Sequence, residues 1–164
     1  METGATFSPC RRWRYSLWRI WSKDARTATF IGLNPSTADE TQDDPTIRRC
    51  IAYARAWAYG GVIMVNLFAL RSTDPKVLYQ HANPVGGYND ATILDVTRDA
   101  GIVVAAWGAH GELRGEGSRV VAMLDEHGVR LHCLGTTKGG HPKHPLYLRA
   151  DLQPVPYPPV GSLK

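Results

Sequence analysis

Two asparagines stand where apolar segments of the sequence end, and their amides could bind a ligand. Asn34 follows the run 29–33 within TFIGLNPSTAD, and Asn66 follows the run 62–65. Hydrogen bonding to turn backbone would explain an isolated Asn before Pro35. Two amides in equivalent places are harder to explain in that way, because each offers a donor and an acceptor side by side. This pair of groups matches the edge of a nucleobase or of another amide-like ring.

The turn around Asn34 has the residues of a binding loop. Gly32 allows backbone or a ligand to approach closely, and Pro35 stiffens the exit from the turn. We therefore predict that this turn forms the floor of a site, to which Leu33 and Ser36 also belong.

A second polar loop, GTTKGGHPKHP at residues 135–145, contains two His, two Lys and three Gly. Glycine-rich turns expose backbone N–H groups to anions, and Lys or His places positive charge beside a phosphate or a developing oxyanion. Lys138 and Lys143 are the candidates for phosphate binding in this loop, and Arg48 is a candidate in the segment that follows TFIGLNPSTAD. A solvated surface loop is the alternative interpretation.

Neither a metal nor a cofactor is expected. His141 and His144 are three residues apart, but no carboxylate or cysteine set completes a recognisable metal site with them. The loop also lacks the GK[ST] ending of a nucleotide-binding P-loop. The three cysteines are widely spaced and form no CxxC pair, so neither a zinc site nor a disulfide framework is indicated.

The elements that must position these loops alternate along the chain. Four apolar runs have the composition of buried strands: residues 27–33, 62–67, 102–107 and 129–134. Segments with helical periodicity lie between them, the first beginning at Pro45 behind the acidic capping residue Asp44. This order predicts right-handed βαβ crossovers and an α/β fold, a three-layer α/β/α sandwich around a four-stranded parallel sheet. Ligands bind beyond the carboxyl ends of such strands, where both asparagines and the second loop stand.

The two ends of the chain are predicted to be simpler. Residues 12–21 alternate aromatic or aliphatic side chains with Arg and Ser, which is typical of a half-exposed strand at the N-terminal edge of the sheet. A base-stacking platform is the alternative for this segment. Residues 1–10 are expected to be frayed, and the Pro-rich tail 151–164 to be extended. We predict a single domain over residues 1–164 with its core at 12–150.

Composition narrows the class of protein further. The chain of 164 residues has a formal net charge of +4, and its pI near 9.1 favours an anionic partner. Hydrophobic residues make up 43% and charged residues 21%, which is typical of a soluble globular protein. No apolar run approaches the roughly 20 residues of a membrane span. The N-terminus lacks the apolar core of a signal peptide, so a cytoplasmic location is expected, with no membrane and no obligate protein partner indicated.

In their order and spacing, the motifs GLNPS at 32–36, the strand ending at Asn66, and HPKHPL at 141–146 resemble those of the uracil-DNA glycosylase superfamily. More narrowly, the sequence resembles an uncharacterised bacterial family with the blocks GLNPSTAD, DPTIRR, VNLFALR, AAWGAHG and GHPKHPLYL. This narrower resemblance covers about residues 13–149.

The superfamily resemblance implies a fold, a reaction and roles for particular residues. It implies a DNA N-glycosylase-like hydrolase of DNA repair, which flips a uracil-like, damaged or modified base into its crevice and needs no cofactor. Asn34 would orient the attacking water, and Asn66 would bind the edge of the base. Either His141 or His144 would stabilise the departing base, because the loop offers two histidines for one role. The partner would be single- or double-stranded DNA, or a nucleotide.

Two other residue roles follow from the same resemblance. Phe68 is the candidate for stacking on the base. An amide can orient water but cannot deprotonate it, so a general base would have to come from Asp39, Asp43 or Asp44, of which Asp44 is also a helix cap. For the same reason two alternatives stay open. One is a non-catalytic nucleic-acid-binding module with this fold, and the other is an enzyme or binder of free modified nucleosides or nucleotides.

Overall fold

A mixed seven-stranded sheet forms the centre of the computed structural model, which describes residues 1–159. In chain order its strands are β1 (Glu2–Phe7), β2 (Arg14–Ile20), β3 (Thr27–Gly32), β4 (Gly61–Asn66), β5 (Ile102–Ala105), β6 (Leu131–Cys133) and β7 (Val155–Tyr157). Across the sheet the order is β1-β2-β4-β3-β5-β6-β7. Strands β4, β3, β5 and β6 pair in parallel, whereas β1, β2 and β7 pair antiparallel with their neighbours.

Helices cover both faces of this sheet, so the predicted α/β class is confirmed. The helices are α1 (Pro45–Ala56), α2 (Lys76–Gln80), α3 (Asn89–Arg98) and α4 (Glu116–Glu126), with a 3₁₀ segment at Ala109–Gly115 before α4. Helix α1 packs through Ile47 and Tyr53 into one apolar cluster. The other three helices contribute Leu78, Ile93 and Leu124 to a second cluster. Within residues 1–159, no helix combines the length and apolar content that crossing a membrane requires.

The start of α1 agrees with the sequence prediction. Asp44 is the N-cap, with Oδ1 accepting a hydrogen bond from the Ile47 N–H at 2.9 Å, and Pro45 is the first helical residue. Its other oxygen, Oδ2, accepts from the Ala38 N–H at 3.4 Å. Asp44 therefore joins the helix start to the loop that leaves β3.

The prediction that residues 1–10 are frayed is wrong for most of that segment. Glu2–Phe7 form β1, which pairs along the length of β2 and makes β2 an interior strand instead of the predicted edge strand. Gly4 allows this pairing, because a Cβ at that position would lie 2.3 Å from the Trp18 ring. The six residues of β1 become a strand through a partner that their own composition does not reveal.

The sheet also has an additional strand at its other edge, beside β6. Part of the Pro-rich tail forms β7, which pairs with β6 from Leu131↔Tyr157 to Cys133↔Val155. The predicted four-stranded parallel sheet is therefore extended to seven strands of mixed direction. Residues 160–164 of the predicted tail lie outside the described residues, and the prediction of a single domain over 1–164 stays a prediction.

Candidate functional site

Asn34 and Asn66 lie at the carboxyl ends of two neighbouring parallel strands, β3 and β4. Gly32 and Asn66 are register partners, and backbone pairing continues past both strands through the Leu67 N–H to Gly32 carbonyl bond of 2.9 Å. The amide of Asn66 lies against Gly32, since a Cβ there would stand 2.7 Å from Asn66 Oδ1. Only glycine at position 32 leaves room for this amide.

The Asn66 amide is buried with a donor group that has no partner. Asn66 is 3% exposed, and its Nδ2 has no hydrogen-bond partner among the described residues. Buried amides are nearly always paired, and leaving one unpaired costs about 1–3 kcal/mol. An unpaired donor at the end of a central strand is the position from which a ligand acceptor could be bound.

A third asparagine, Asn89, supports the end of β4. Asn89 is fully buried, and its Nδ2 donates to the carbonyls of Asn66 at 2.8 Å and Leu67 at 3.0 Å. Asn89 is the first residue inside α3, and its side chain makes no cap hydrogen bond to that helix. The sequence does not predict this supporting role. An asparagine at a helix start can cap its own helix or donate to the carbonyls of a distant strand, and the local sequence is the same in both cases.

The Asn34 amide has both a structural role and a free acceptor. Nδ2 donates to the carbonyls of Ser72 at 2.9 Å, Pro35 at 3.1 Å and Leu70 at 3.4 Å. The Ser72 N–H in turn donates to the Pro35 carbonyl at 2.9 Å, so the turn after β3 is joined to the loop after β4. Asn34 Oδ1 has no partner in the described chain and is left to accept a hydrogen bond from water or ligand.

The remaining residues predicted around Asn34 differ in accessibility. Gly32, Leu33 and Pro35 are buried in the turn, whereas Ser36 is half-buried. Phe68 is fully buried in the second apolar cluster. The structure therefore does not support Phe68 as a stacking platform, because the ring presents no exposed face to a base.

The two histidines of the second loop lie in different surroundings. The loop is anchored by the Gly108 N–H, which donates to the Pro142 carbonyl at 2.8 Å. His144 lies over Gly108 and close enough to Asp44 for that carboxylate to influence its pKa. His141 instead lines a cavity between α4 and β7, together with Trp107 and Tyr157. His144 is thus the histidine on the side of the loop that joins β3 to α1.

The surroundings of the His144 imidazole favour its neutral form, with a hydrogen-bond donor at Nε2. The Leu146 N–H donates to His144 Nδ1 at 3.2 Å, so the proton of the neutral ring is on Nε2. His144 is exposed at the surface, but partial desolvation by its neighbours lowers its pKa, and the Asp44 charge opposes this effect in part. A neutral ring with an Nε2–H can stabilise an anion by hydrogen bonding without itself carrying charge.

Replacing Asp44 with Asn is expected to lower the His144 pKa further, because Asn keeps the helix cap but removes the charge that favours the imidazolium. In the wild-type protein His144 should titrate below its ordinary value of about 6.5. At a pH between the ordinary pKa of histidine and the lower pKa of His144 in the folded protein, the unfolded chain binds one more proton than the folded chain. The free energy of unfolding therefore falls as the pH falls through that window. NMR titration of the His144 ring protons measures the pKa of His144 in the wild type and in the variant. Asp125→Asn on α4 is the control, and an unchanged or higher pKa in Asp44→Asn would contradict the assignment.

None of the three candidate general bases is free. Hydrogen bonds from the Gln42 and Thr41 N–H groups, and then the charges of Arg11 and Arg71, lower the pKa of Asp39. Asp43 forms an ion pair with Arg19 at 2.8 Å, and Asp44 holds the helix start. All three carboxylates are thus engaged in hydrogen bonds or an ion pair in the free protein.

Two arginines of β2 are buried beneath the loop that carries these carboxylates. Arg19 is 1% exposed and donates to the carbonyls of Asp39 at 2.7 Å and Gln42 at 3.2 Å. Arg14 is 2% exposed, donates through Nη1 to the Ala38 carbonyl at 3.1 Å, and leaves its Nε unpaired. Burial lowers the pKa of Arg14 to about 10, with Asp44 opposing the effect. The alternation of β2 predicts an exposed Arg14, but a register shift opposite Thr6 and Phe7 interrupts that alternation.

The three predicted phosphate-binding residues are exposed at separate places. Lys138 and Lys143 lie on the second loop, and Arg48 donates to the Asp43 carbonyl at 3.2 Å on the outer side of α1. Of four surface cavities lined by described residues, none includes Asn34, Asn66 or His144 in its lining. Within residues 1–159, no group of three or more His, Cys, Asp or Glu side chains could hold a metal ion.

Together, the mixed sheet and the polar loops at its parallel strand ends define an α/β protein with a candidate site at the carboxyl edge of the sheet. The chain belongs to the family described as a protein of unknown function (DUF1643), which matches residues 14–146. That match covers β2 to β6 and both polar loops. No curated protein and no solved structure matches the chain. The expected membership of an uncharacterised family is thus confirmed, whereas the resemblance to uracil-DNA glycosylases stays a prediction.

Proposed function

We propose that this chain is a uracil-DNA-glycosylase-like protein that cleaves the N-glycosidic bond of a uracil-like, damaged or modified base in DNA. The observation that carries the proposal is the unpaired Nδ2 of Asn66, buried beside Gly32 at the carboxyl end of β4. A base carbonyl would supply the acceptor that this amide lacks, and such a base must leave the DNA stack to reach it. Four parallel central strands with helices on both faces agree with the three-layer fold of that superfamily.

The other residues have distinct roles in this proposal. Asn34 Oδ1 accepts a hydrogen bond from the attacking water, while its Nδ2 stays fixed by backbone carbonyls. As the bond between sugar C1′ and the base nitrogen breaks, the electron pair leaves with the base and the water oxygen bonds to C1′. The Nε2–H of His144 then stabilises the anionic base, and the proton of the water passes to solvent.

Base release from oligonucleotides that contain uracil or another damaged or modified base tests this proposal. Replacing His144 with Ala is expected to lower the rate about 10²–10³-fold, the usual effect of losing one donor to a developing anion. Asn34→Ala is expected to lower it about 10²-fold through lost orientation of the water. His141→Ala is the matched control, because it removes a histidine from the same loop on the side away from Asp44.

If the wild-type protein leaves no abasic site in any of these oligonucleotides but still binds them, the enzymatic proposal fails. A non-catalytic nucleic-acid-binding module is then the better proposal, and one observation favours it: Asp39, Asp43 and Asp44 are all engaged in other bonds. Binding that is saturated by a free nucleoside, without any oligonucleotide, would instead support a protein that acts on or binds free modified nucleosides.

A further inference from the structure

A cavity of about 420 Å³ lies beside the turn that holds Asn34. We call it the arginine cavity, and it is lined by Arg11, Arg12, Arg71, Ser36, Thr37, Ser72 and Thr73. Its walls come from three places in the sequence: the connection between β1 and β2, the turn after β3, and the loop after β4. It therefore borders the candidate site without including the asparagines.

Positive charge exceeds negative charge around the arginine cavity. Arg11 forms a two-pronged ion pair with Glu40, at 2.7 and 2.8 Å. Within the described part of the chain, Arg12 and Arg71 form no ion pair with any carboxylate. Hydroxyl groups that can donate to an anion stand beside these guanidinium groups, since Ser36 and Thr37 contribute to the lining.

The guanidinium groups are held in place before any ligand binds. The Phe7 ring has Arg11 at 3.9 Å and Arg71 at 4.9 Å from its centroid, so it orders two of the three cations. Backbone bonds add to this order, because the Arg71 N–H donates to the Arg12 carbonyl at 2.8 Å and Arg71 Nη1 donates to the Arg11 carbonyl at 3.3 Å. Arginines ordered in this way lose little entropy when they bind an anion.

A second, independent observation is the buried Arg14. Arg14 is only 2% exposed, and its Nε has no hydrogen-bond partner among the described residues. The positive charge of Arg71 contributes, after burial itself, to the lowered pKa of Arg14, so the two guanidinium groups are close to each other. Asp44 offsets the burial of Arg14 only in part, so an anion bound close to Arg14 and Arg71 would lower the remaining electrostatic cost.

We infer that the arginine cavity binds a phosphate group of the nucleic acid and holds it beside the turn of Asn34. The cavity and Asn34 share one rigid connection, since Ser72 lines the cavity and its carbonyl accepts from Asn34 Nδ2 at 2.9 Å. The inference rests on the proposed function for the source of the phosphate, which is a phosphodiester of DNA or, alternatively, the phosphate of a free nucleotide. It assigns to Arg12 and Arg71 the role predicted for Lys138, Lys143 and Arg48, which do not line this cavity.

Binding of an undamaged oligonucleotide, measured as a function of salt, tests this inference without requiring base release. The Arg12→Gln/Arg71→Gln protein is expected to bind about 10- to 100-fold more weakly at low salt. The slope of log K against log salt should become shallower by about 0.7–0.9, because the contact with one phosphate is lost. The control is Arg55→Gln/Arg130→Gln, which removes equal charge near the end of α1 and just before β6. Both arginines precede a parallel strand, so they lie at the amino ends of these strands, opposite the candidate site. Its affinity and slope should stay close to those of the wild type.

Because Arg71 also contacts Phe7, folding of the double variant is checked by its unfolding midpoint. Arg12→Gln alone changes an exposed side chain and should also weaken binding and make the slope shallower, by less than the double variant does. An affinity and slope equal to the wild type in the Arg12 and Arg71 variants would overturn the inference, even if base release is observed. Conversely, loss of the proposed glycosylase activity with the expected change in slope would leave the inference standing.

A second arm of the experiment distinguishes the two sources of phosphate. Inorganic phosphate and a 5′-mononucleotide are titrated while the arginine side-chain NMR signals are followed. Shifts of Arg12 and Arg71 with the mononucleotide, at concentrations comparable to those for the oligonucleotide, indicate a free nucleotide as the source. Shifts only with the oligonucleotide indicate a phosphodiester. No shift with any of the three would overturn the inference.

Discussion

Replacing Asn66 with Ala is expected to weaken base recognition while changing the free energy of unfolding by less than about 1 kcal/mol. The reason is that Nδ2 of Asn66 is buried without a partner, so the free protein already bears a cost of about 1–3 kcal/mol for this group. Removing the amide removes that cost, and the small cavity that remains offsets part of the gain. Binding should weaken by about 5- to 150-fold, because a lost two-point contact with a base costs about 1–3 kcal/mol of discrimination.

Asn89 offers a matched control for this prediction. It is also a buried asparagine at the same end of the sheet, but its amide donates to two carbonyls. Asn89→Ala should therefore destabilise the protein by about 1–3 kcal/mol, since two buried acceptors lose their donor, and the removal of the unpaired Asn89 Oδ1 offsets only part of that loss. Urea unfolding gives the stability of both variants, and oligonucleotide binding gives their affinity. If Asn66→Ala is as unstable as Asn89→Ala, the Asn66 amide is part of the fold and not a ligand contact.

The central strands could be predicted from the sequence because each is a buried apolar run. The predicted segments 27–33, 62–67, 102–107 and 129–134 overlap β3, β4, β5 and β6, respectively. Strands β1 and β7 could not be predicted in this way, because their short polar or Pro-rich segments become strands only by pairing with distant residues. Local composition carries no information about such a partner.

The same distinction applies to the candidate site. That Asn34 and Asn66 lie at the same end of the sheet follows from the parallel direction of neighbouring strands, which the alternation of elements predicts. The difference between His141 and His144 depends on how the loop is anchored to Gly108, a contact between residues far apart in the sequence. The burial of Arg14 depends on a local register shift in β2, which no alternating pattern reveals.

Replacing Arg19 with Ala is expected to destabilise the protein by about 3–5 kcal/mol, the usual result of removing one partner from a buried ionic network. Arg19 is 1% exposed, and its guanidinium group pairs with Asp43 and donates to the carbonyls of Asp39 and Gln42. In Arg19→Ala these partly buried acceptors all lose their donor, and the space of the buried arginine side chain is left unfilled. Thermal unfolding should show a midpoint about 10 °C lower, because each kcal/mol corresponds to about 2–4 °C in a domain of this size.

The effect of Arg19 should extend to the site, because the loop that it holds connects Asn34 to the start of α1. The Asp39 and Gln42 carbonyls have Arg19 as a shared donor, so hydrogen exchange at the Thr41 and Gln42 amides should accelerate in Arg19→Ala. Arg48→Ala is the control, since this exposed arginine contacts the same loop through the Asp43 carbonyl and its loss should change stability by less than about 0.5 kcal/mol. Equal stability of the two variants would mean that the loop is held by its own turns and the Asp44 cap. A lower stability of Arg19→Ala than of Arg48→Ala would instead show that Arg19 holds the loop between Asn34 and the start of α1 in place.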